Sequence, residues 1–276
     1  MKRQLSFILI LCAVVMLQAQ PRVIRLFSIG NSFSEDAVEQ YLYELAAAQG
    51  DSLVIGNAYI GGCYIDKHWD NAVNDRPAYA YRKVVGGRRV SSPNQRLSTM
   101  LRDEPWDIVS FQQSSDRSGV YATYSRIPDL IRYVQGQVTG KPTYVFYMTW
   151  AYAQDFKDQR FEKFHYSQPY MYAAIREAVG HALADNPELT DVVPVGIAIH
   201  RVREVLGDTL NRDGYHLSYG LGRYTAACTW CEFLTGKPVT ENAWYPPKVD
   251  KVSAAVARWA AHEALRESRY QLRRAM

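Results

Sequence analysis

The sequence predicts an α/β protein, a three-layer α/β/α sandwich around a central parallel sheet of about five strands. Short β-rich segments alternate with longer segments of helical periodicity, the pattern of a parallel sheet covered on both faces. The 276 residues are 47% hydrophobic, which is enough apolar material for one large core. Because no internal repeat or Pro/Ser-rich linker divides the chain, we expect residues 20–276 to form a single domain.

The predicted strands are the β-rich segments that separate the helical stretches. They cover residues 23–29, 53–60, 107–111, 144–148 and 192–195. Gly86 and Gly87 lie between two further short β-rich segments, residues 79–84 and 88–90, and predict a small hairpin. We interpret this hairpin as an insertion that is not part of the layers.

The predicted helices show apolar residues at intervals of three and four. One follows the first strand and ends at Gly50, and Ser92 with Pro93 has the residue types of a second helix start. The remaining helices cover residues 127–138, a stretch from about 169 to 186, a stretch after His216, and residues 252–267. A long polar and aromatic loop, residues 150–169, precedes the helix predicted from about 169 to 186.

The first residues have the order of a secretory signal peptide. Lys2 and Arg3 precede an apolar run at residues 5–17, and the small residue Ala19 follows. The run is too short to span a bilayer. We therefore predict that residues 1–19 are a signal peptide, that cleavage occurs near Gln20, and that the protein is exported to the periplasm or secreted.

Charge and motifs exclude several function classes. Without Lys2 and Arg3, 30 basic and 28 acidic residues remain, a balance too even to indicate a nucleic-acid partner. No H-E-x-x-H, P-loop or strand-linked G-x-G-x-x-G motif is present, so we predict neither a metal nor a nucleotide cofactor. Cys228 and Cys231 lie within a predicted helix without partners for a zinc site, and we interpret them as buried structural thiols.

A serine stands at the end of the first predicted strand, directly after Gly30 and Asn31. Ligands of parallel sheets bind at the carboxyl ends of strands, and a helix start favours developing negative charge. Ser32 is therefore a candidate nucleophile. The alternative is structural, because Ser32 and Glu35 also fit the S-x-x-E capping box, in which the serine only caps the helix.

The far end of the chain supplies the residue types that a serine nucleophile needs. Asp213 lies three residues before His216 in a Gly-containing loop that precedes a helix. Serine chemistry requires a base for the hydroxyl proton and a carboxylate that orients the base. A D-x-x-H turn can provide both, and its combination with Ser32 predicts a hydrolase with a Ser-His-Asp triad.

These segments resemble the SGNH (GDSL-like) hydrolases over most of the mature chain. Residues 30–32, Gly-Asn-Ser, are similar to the Gly-Asp-Ser block of that family, and Asp213 with His216 is similar to its final Asp-x-x-His block. Residues 57–63 resemble the second block, and the resemblance implies that the backbone N–H of Gly62 belongs to an oxyanion hole. The family's third block carries an Asn as the last oxyanion donor, whereas this chain has Gln112 and Gln113.

Because this chain has no Asn in the third block, the last oxyanion donor is expected to be a glutamine. Gln carries the same carboxamide on a longer arm. Side chains alternate sides along a strand, so we expect only one of the two to reach the oxyanion, and we choose Gln112. Gln113 then braces the loop or contacts substrate. We also expect Asn31 and Trp150 to contact substrate.

Export and the aromatic residues of segment 150–169 favour an O-acetylated or otherwise O-acylated carbohydrate as the ester substrate. Two alternatives remain. One is a lipid esterase or thioesterase on the same fold, which needs a broad apolar groove. The other is a non-catalytic glycan-binding protein, in which Ser32 and His216 are a cap and a turn residue. The sugar, the acyl group and the oligomeric state do not follow from the sequence.

Overall fold

The protein is described here by a computed structural model, which covers the backbone of residues 21–275 and the side chains through residue 268. The predicted signal peptide, residues 1–19, lies outside the described residues. The strands are β1 (Arg22–Gly30), β2 (Asp51–Tyr59), β3 (Tyr79–Val85), β4 (Arg88–Gln95), β5 (Ile108–Phe111), β6 (Thr143–Tyr147) and β7 (Leu189–Val193). The helices are α1 (Ser32–Val38), α2 (Leu42–Ala48), α3 (Ile65–Val73), α4 (Leu97–Leu101), α5 (Ile127–Gln135), α6 (Gln168–Asp185), α7 (Val195–Leu206), α8 (Leu221–Thr235) and α9 (Lys251–Ala275).

The strands form one sheet in the order β4-β3-β2-β1-β5-β6-β7. The five strands β2, β1, β5, β6 and β7 are parallel, as predicted. Strand β1 is central and buried on both faces, because parallel strands covered by helices on each side have no solvent face. The predicted fold class, a three-layer α/β sandwich with a mainly parallel sheet, is confirmed.

Right-handed crossovers divide the helices between the two faces of the sheet. The chain moves from β1 outward to β2 through α1 and α2, then returns past β1 to β5. Helices α1 and α2 therefore share one face with α7, α8 and α9, which pack against one another, while α3, α4, α5 and α6 cover the opposite face. None of the helices within residues 21–275 is long and apolar enough to cross a membrane.

The reversal of direction at β1 has a consequence for ligand binding. Connections leave β1 and β5 on opposite faces, so the loops at the carboxyl ends of these strands separate and open a crevice. Residues that follow β1 and β5 face this crevice.

The sequence predicts that the hairpin of β3 and β4 is an insertion outside the layers. This prediction is wrong. Strand β3 pairs antiparallel with β2 and so extends the sheet by two strands. The free edge of β2 needs hydrogen-bond partners, and the hairpin supplies them. Strand β4 continues through Ser92 and Pro93, where a helix start was predicted; Pro93 is tolerated because β4 is an edge strand.

Local conformation also departs from the helical pattern. The single helix predicted up to Gly50 is broken into α1 and α2, because Tyr41 adopts a left-handed backbone with φ 69°. Helices α3 and α7 were not predicted. Helix α3 buries the polar residues His68 and Asn71 along with apolar ones, so its sequence lacks the continuous apolar face by which helices were predicted.

Candidate active site

The turn after β1 is shaped by close packing at Gly30. A Cβ atom at this position would lie 2.4 Å from Ser34 Oγ and 2.7 Å from Gln112 Oε1. Such distances are far below van der Waals contact, so only glycine fits here. The chain then turns directly into α1, and its first residue is Ser32.

Asn31, and not Ser32, caps helix α1. The Asn31 Oδ1 accepts a hydrogen bond from the Phe33 N–H at 2.9 Å, as an N-cap side chain does. The Asn31 Nδ2 donates to the Cys63 carbonyl at 2.8 Å and ties this turn to the loop after β2. The alternative in which the Ser32 hydroxyl caps the helix is therefore wrong. Asn31 is buried and braces this turn, and it also lines the cavity beside Ser32, so its contact with substrate stays a prediction.

Three side chains predicted as a triad form a continuous hydrogen-bonded chain. Ser32 Oγ lies 2.8 Å from His216 Nε2, and His216 Nδ1 lies 2.7 Å from Asp213 Oδ2. The other Asp213 oxygen accepts the His216 backbone N–H at 2.8 Å, so the carboxylate orients both the ring and its backbone. Burial raises the pKa of Asp213, but these hydrogen bonds outweigh it and the pKa is lowered, so the carboxylate is ionised at neutral pH.

A buried carboxylate four residues after Ser32 anchors the loop that carries His216. Asp36 is fully buried, and its Oδ2 accepts the Leu217 backbone N–H at 2.8 Å. Arg212 and Arg223 pair with Asp36 Oδ1 at 3.0 and 2.6 Å. Burial raises the pKa of Asp36, and the two guanidinium groups act against this rise. Because Ser32 and Asp36 belong to α1, the helix bearing the serine also holds the histidine loop.

The Ser32 hydroxyl opens onto a cavity of about 460 Å³ at the carboxyl ends of β1, β2 and β5. His216 and Gly62 line the same cavity. Within the part of the chain that the structure describes, the backbone N–H groups of Ser32 and Gly62 have no hydrogen-bond partner. Two unpaired N–H donors beside a serine hydroxyl are the components of an oxyanion hole.

Gly62 occupies a turn that no other residue type adopts easily. Its φ is +63°, in the left-handed region, and the turn closes with a bond from the Cys63 N–H to the Ile60 carbonyl. Cys63 follows it but is buried, and burial raises the pKa of this thiol to about 12. The thiol is therefore protonated at neutral pH, which makes it a poor nucleophile.

The two glutamines after β5 are both buried, and the amide nitrogen of each donates to a protein partner, while Gln112 Oε1 has no partner among the described residues. Gln112 Nε2 donates to Asn31 Oδ1 at 2.9 Å, so its carboxamide supports the helix cap. Gln113 Oε1 accepts the N–H groups of Ile65 and Ser114, and its Nε2 donates to the Thr123 carbonyl. Neither is among the described residues that line the cavity. The structure does not bring Gln112 to the predicted oxyanion position, whereas Gln113 braces the loops around the site.

Trp150 is part of the core and not of a substrate platform. Its side chain is fully buried, it stacks on Phe33 with ring centroids 4.1 Å apart, and its Nε1 donates to the Tyr215 carbonyl at 2.7 Å. The prediction that Trp150 contacts substrate is therefore corrected: a residue without exposed surface can only support Phe33 and the His216 loop from beneath.

Several residues at the cavity were not predicted. They are the cavity-lining side chains Tyr59, Tyr64, Ser114, Ser115, Asp116, Arg117, Arg160 and Tyr215. Tyr215 could have been found, because it lies inside the D-x-x-H turn, and its ring packs 3.9 Å from the His216 ring. Arg160 and Arg117 carry no local signal, since only the tertiary fold brings their loops to Ser32.

A metal ion would need several ligating side chains that lie together in the described part of the chain. Among its residues, no three or more His, Cys, Asp or Glu side chains are grouped as metal ligands. The three cysteines it contains, Cys63, Cys228 and Cys231, are buried and unpaired. Burial raises the pKa of Cys228 and Cys231, as expected for structural thiols inside α8.

Comparison with known proteins places the chain among its relatives. The family model described as "Domain of unknown function (DUF4886)" matches residues 25–264. The crystal structure of a DUF4886 family protein from Bacteroides uniformis is similar, with 42% identity, a TM-score of 0.85, and coverage of 88% of this chain and 94% of that one. No curated protein matches the chain.

More distant similarities extend to two other solved structures. A proposed SGNH hydrolase from Slackia heliotrinireducens has 19% identity and a TM-score of 0.49, with 76% of this chain and 98% of that chain covered. A member of the lipolytic G-D-S-L family from Veillonella parvula has 10% identity and a TM-score of 0.49, with 77% and 97% covered. The family model and the 42% identical relative carry the assignment: the chain belongs to the DUF4886 family.

Proposed function

We propose that the protein is a serine esterase of the SGNH type, a carboxylic ester hydrolase in which Ser32, His216 and Asp213 act as the catalytic triad. One observation carries this proposal. The Ser32 hydroxyl is hydrogen-bonded to a histidine that an aspartate orients, and it faces a cavity beside the unpaired N–H groups of Ser32 and Gly62. A cap and a turn residue would not need this arrangement.

The geometry supports a two-step acyl transfer. His216 Nε2 removes the Ser32 proton as Oγ attacks the ester carbonyl, and Asp213 stabilises the imidazolium through Nδ1–H. The backbone N–H groups of Ser32 and Gly62 hold the oxyanion, each contributing about 3 kcal/mol to the stability of the transition state. His216 then returns the proton to the departing alcohol. A water molecule, deprotonated by His216, releases the acyl group as a carboxylic acid and regenerates Ser32.

The lining of the cavity favours a short acyl group on a polar alcohol. Asp116, Arg117 and Arg160 place charge in a lining that otherwise includes aromatic rings, so the cavity is not a purely apolar groove for a long acyl chain. We therefore propose an O-acetylated or similarly short O-acyl carbohydrate as substrate. The aromatic residues of segment 150–169 no longer support this choice, because most of them, Trp150 included, are buried.

A fluorophosphonate probe tests the catalytic proposal, because it reacts only with an activated serine. The wild type should be labelled and Ser32→Ala should not be. Ser115→Ala is the matched control, since Ser115 lines the same cavity but its hydroxyl contacts Tyr152 at 3.0 Å instead of a histidine. Labelling of Ser32→Ala would assign the chemistry to another residue. An unlabelled wild type would favour the glycan-binding alternative.

The substrate class is tested by a chain-length series. We expect the highest kcat/KM for acetyl esters, with a steep decline for acyl chains of eight carbons or more. Acetylated sugars should be better substrates than acetylated aliphatic alcohols of similar size. A preference for long acyl chains would favour the lipid esterase or thioesterase alternative.

We also propose that the protein is exported. This rests on the charged, apolar and small residues of positions 1–19. N-terminal sequencing of the protein from its producing cell should give a first residue near Gln20. A cytoplasmic pool that retains residues 1–19 would contradict export without bearing on the esterase proposal.

A further inference from the structure

The cavity beside Ser32 carries more positive than negative charge. The charged side chains that line it, apart from His216, are Asp116, Arg117 and Arg160. Asp116 also lies 3.8 Å from the Lys163 Nζ, so one carboxylate is shared by two cations. A site for a neutral sugar ester has no need of two guanidinium groups, and their placement requires a separate explanation.

Arg117 is oriented by packing but has no close hydrogen-bond acceptor. Its guanidinium carbon lies over the Tyr64 ring, 3.6 Å from the centroid, a cation–π contact that holds the group in place. The nearest carboxylate oxygen, on Asp116, is 3.9 Å from Nε, beyond hydrogen-bond distance. In the part of the chain that the structure describes, the Arg117 side chain donates no hydrogen bond to the protein. Its planar fork of N–H groups is therefore available to a ligand.

Arg160 is held in place next to the catalytic histidine. Its Nε and Nη2 donate to the two Asp158 oxygens at 2.8 and 3.0 Å, a bidentate pair. Its guanidinium also lies 4.5 Å from the Tyr215 ring, which packs on His216. Asp158 neutralises much of this charge, so Arg160 acts as a positioned hydrogen-bond donor, while the charge of Arg117 is only partly compensated by Asp116 at 3.9 Å.

Both arginines line the cavity, Arg117 from the loop after β5 and Arg160 from a short 3-10 helix, Gln159–Phe164. Arg117 follows β5, in a turn closed by its own N–H on the Ser114 carbonyl at 3.0 Å. The Ser114 hydroxyl donates to Asp116 Oδ1 at 2.8 Å, and the other Asp116 oxygen lies 3.9 Å from the Arg117 Nε. Arg117 therefore lines the cavity with no carboxylate oxygen within hydrogen-bond distance of its side chain.

We infer that the alcohol part of the substrate carries a carboxylate, and that Arg117, with Arg160 beside it, binds it. The substrate class is then an O-acylated sugar acid, such as an acetylated hexuronic acid. Two oxygens of a planar carboxylate match the guanidinium fork, and the match fixes the ester over Ser32. This inference rests on the proposed esterase function, because it assigns the part of the substrate that is not the acyl group.

The test uses two substrates that differ at one carbon. Mono-O-acetylated glucuronic acid and glucose acetylated at the same hydroxyl differ only in a carboxylate against a hydroxymethyl group. We expect wild-type kcat/KM to be about tenfold or more higher for the acid, as charge-assisted hydrogen bonds provide. The preference should diminish as salt is raised from about 0.01 to 1 M, because the interaction is electrostatic.

Arginine variants locate the interaction. Arg117→Gln should reduce the acid-to-neutral ratio of kcat/KM to near one, and Arg117→Lys should give an intermediate ratio, because lysine keeps the charge but loses the fork. Arg160→Gln should reduce the ratio less. Arg126→Gln is the matched control: this exposed arginine pairs with Asp129 at 2.9 Å outside the cavity. An unchanged ratio in Arg117→Gln would overturn the inference.

A binding measurement separates this inference from the esterase proposal. Ser32→Ala cannot turn over the ester, so affinity for both substrates can be measured directly with it. Tighter binding of the acid by Ser32→Ala, lost in Ser32→Ala/Arg117→Gln, would support the anion subsite whether or not the wild type hydrolyses either substrate. A wild type that hydrolysed neither substrate would overturn only the esterase proposal. Equal hydrolysis and equal binding of the two substrates would overturn the subsite and leave the esterase intact.

Discussion

Two regions of this chain were predicted to be functional, and the fold treats them differently. The turn after β1 and the loop before α8 are separated by about 180 residues, yet Ser32 and His216 are in hydrogen-bond contact. The aromatic segment 150–169 was predicted to contact substrate, yet Trp150, Tyr152, Phe161 and Phe164 are buried. The two polar segments form the candidate active site, whereas the aromatic rings of segment 150–169 pack beneath it and only Arg160 of that segment lines the cavity.

The difference follows from the chemistry of the side chains. Ser, His and Asp at strand and loop ends are polar groups that need hydrogen-bond partners, and here each is the partner of the next. Aromatic rings gain stability from burial whether or not a ligand exists, so their number in a loop does not indicate a surface. Polar motifs were therefore informative about function, and aromatic composition was not.

The largest expected effect tests whether the triad acts as a unit. Ser32→Ala and His216→Ala should each lower kcat by about 10,000-fold or more, and the double variant should be no worse than either single one. Stability should change little in Ser32→Ala, because Asn31 provides the helix cap. Steady-state kinetics and urea unfolding measure both. Additive losses in the double variant would indicate that the two residues act separately.

The second effect concerns the aromatic region. Trp150→Ala should lower the free energy of unfolding by about 3–5 kcal/mol, the cost of a large cavity in a packed core. Trp150→Phe keeps a ring against Phe33 and loses the bond to the Tyr215 carbonyl, so it should cost about 1 kcal/mol. Chemical denaturation checks both values. A raised KM in Trp150→Ala at unchanged stability would restore the substrate-contact interpretation.

A third prediction compares the two glutamines. A direct oxyanion donor would lower kcat by about 100-fold on truncation. Because Gln112 Nε2 supports Asn31, we expect Gln112→Ala to lower kcat by less than about tenfold, with a loss of about 1 kcal/mol in stability. Gln113→Ala removes bonds to two loops and should be the more destabilising of the pair. A 100-fold fall in kcat for Gln112→Ala, with unchanged KM, would reinstate its role as a donor.

The smallest effect is on the pH dependence of stability. The pKa of Asp213 is lowered in the folded protein below its ordinary value of 3.8, so the folded state binds fewer protons than the unfolded state just below that pH. Its contribution should be fully present above pH 3.8 and be lost as the pH falls through the lowered pKa. Unfolding of the wild type and Asp213→Asn between about pH 5 and pH 2 should show their stability difference shrinking. A constant difference would contradict this.

The sequence by itself determined the parallel core of the fold and the three residues now proposed as the triad. The alternation of strands and helices indicates a sheet that helices bury on both faces, and it predicted all five parallel strands. Ser32, Asp213 and His216 could be identified because serine chemistry needs these residue types at strand and loop ends, and because their segments resemble a known family.

Only the tertiary structure decided what depended on partners distant in the chain. The hairpin joined the sheet because the edge of β2 offered unpaired backbone groups, a property that no window of sequence contains. Contacts between separate segments decided three partners: Gln112 donates a hydrogen bond to Asn31, Trp150 stacks on Phe33, and Arg117 lies over the Tyr64 ring. A polar or aromatic side chain satisfies whichever neighbour the fold supplies, so its role follows from packing and not from its position along the chain.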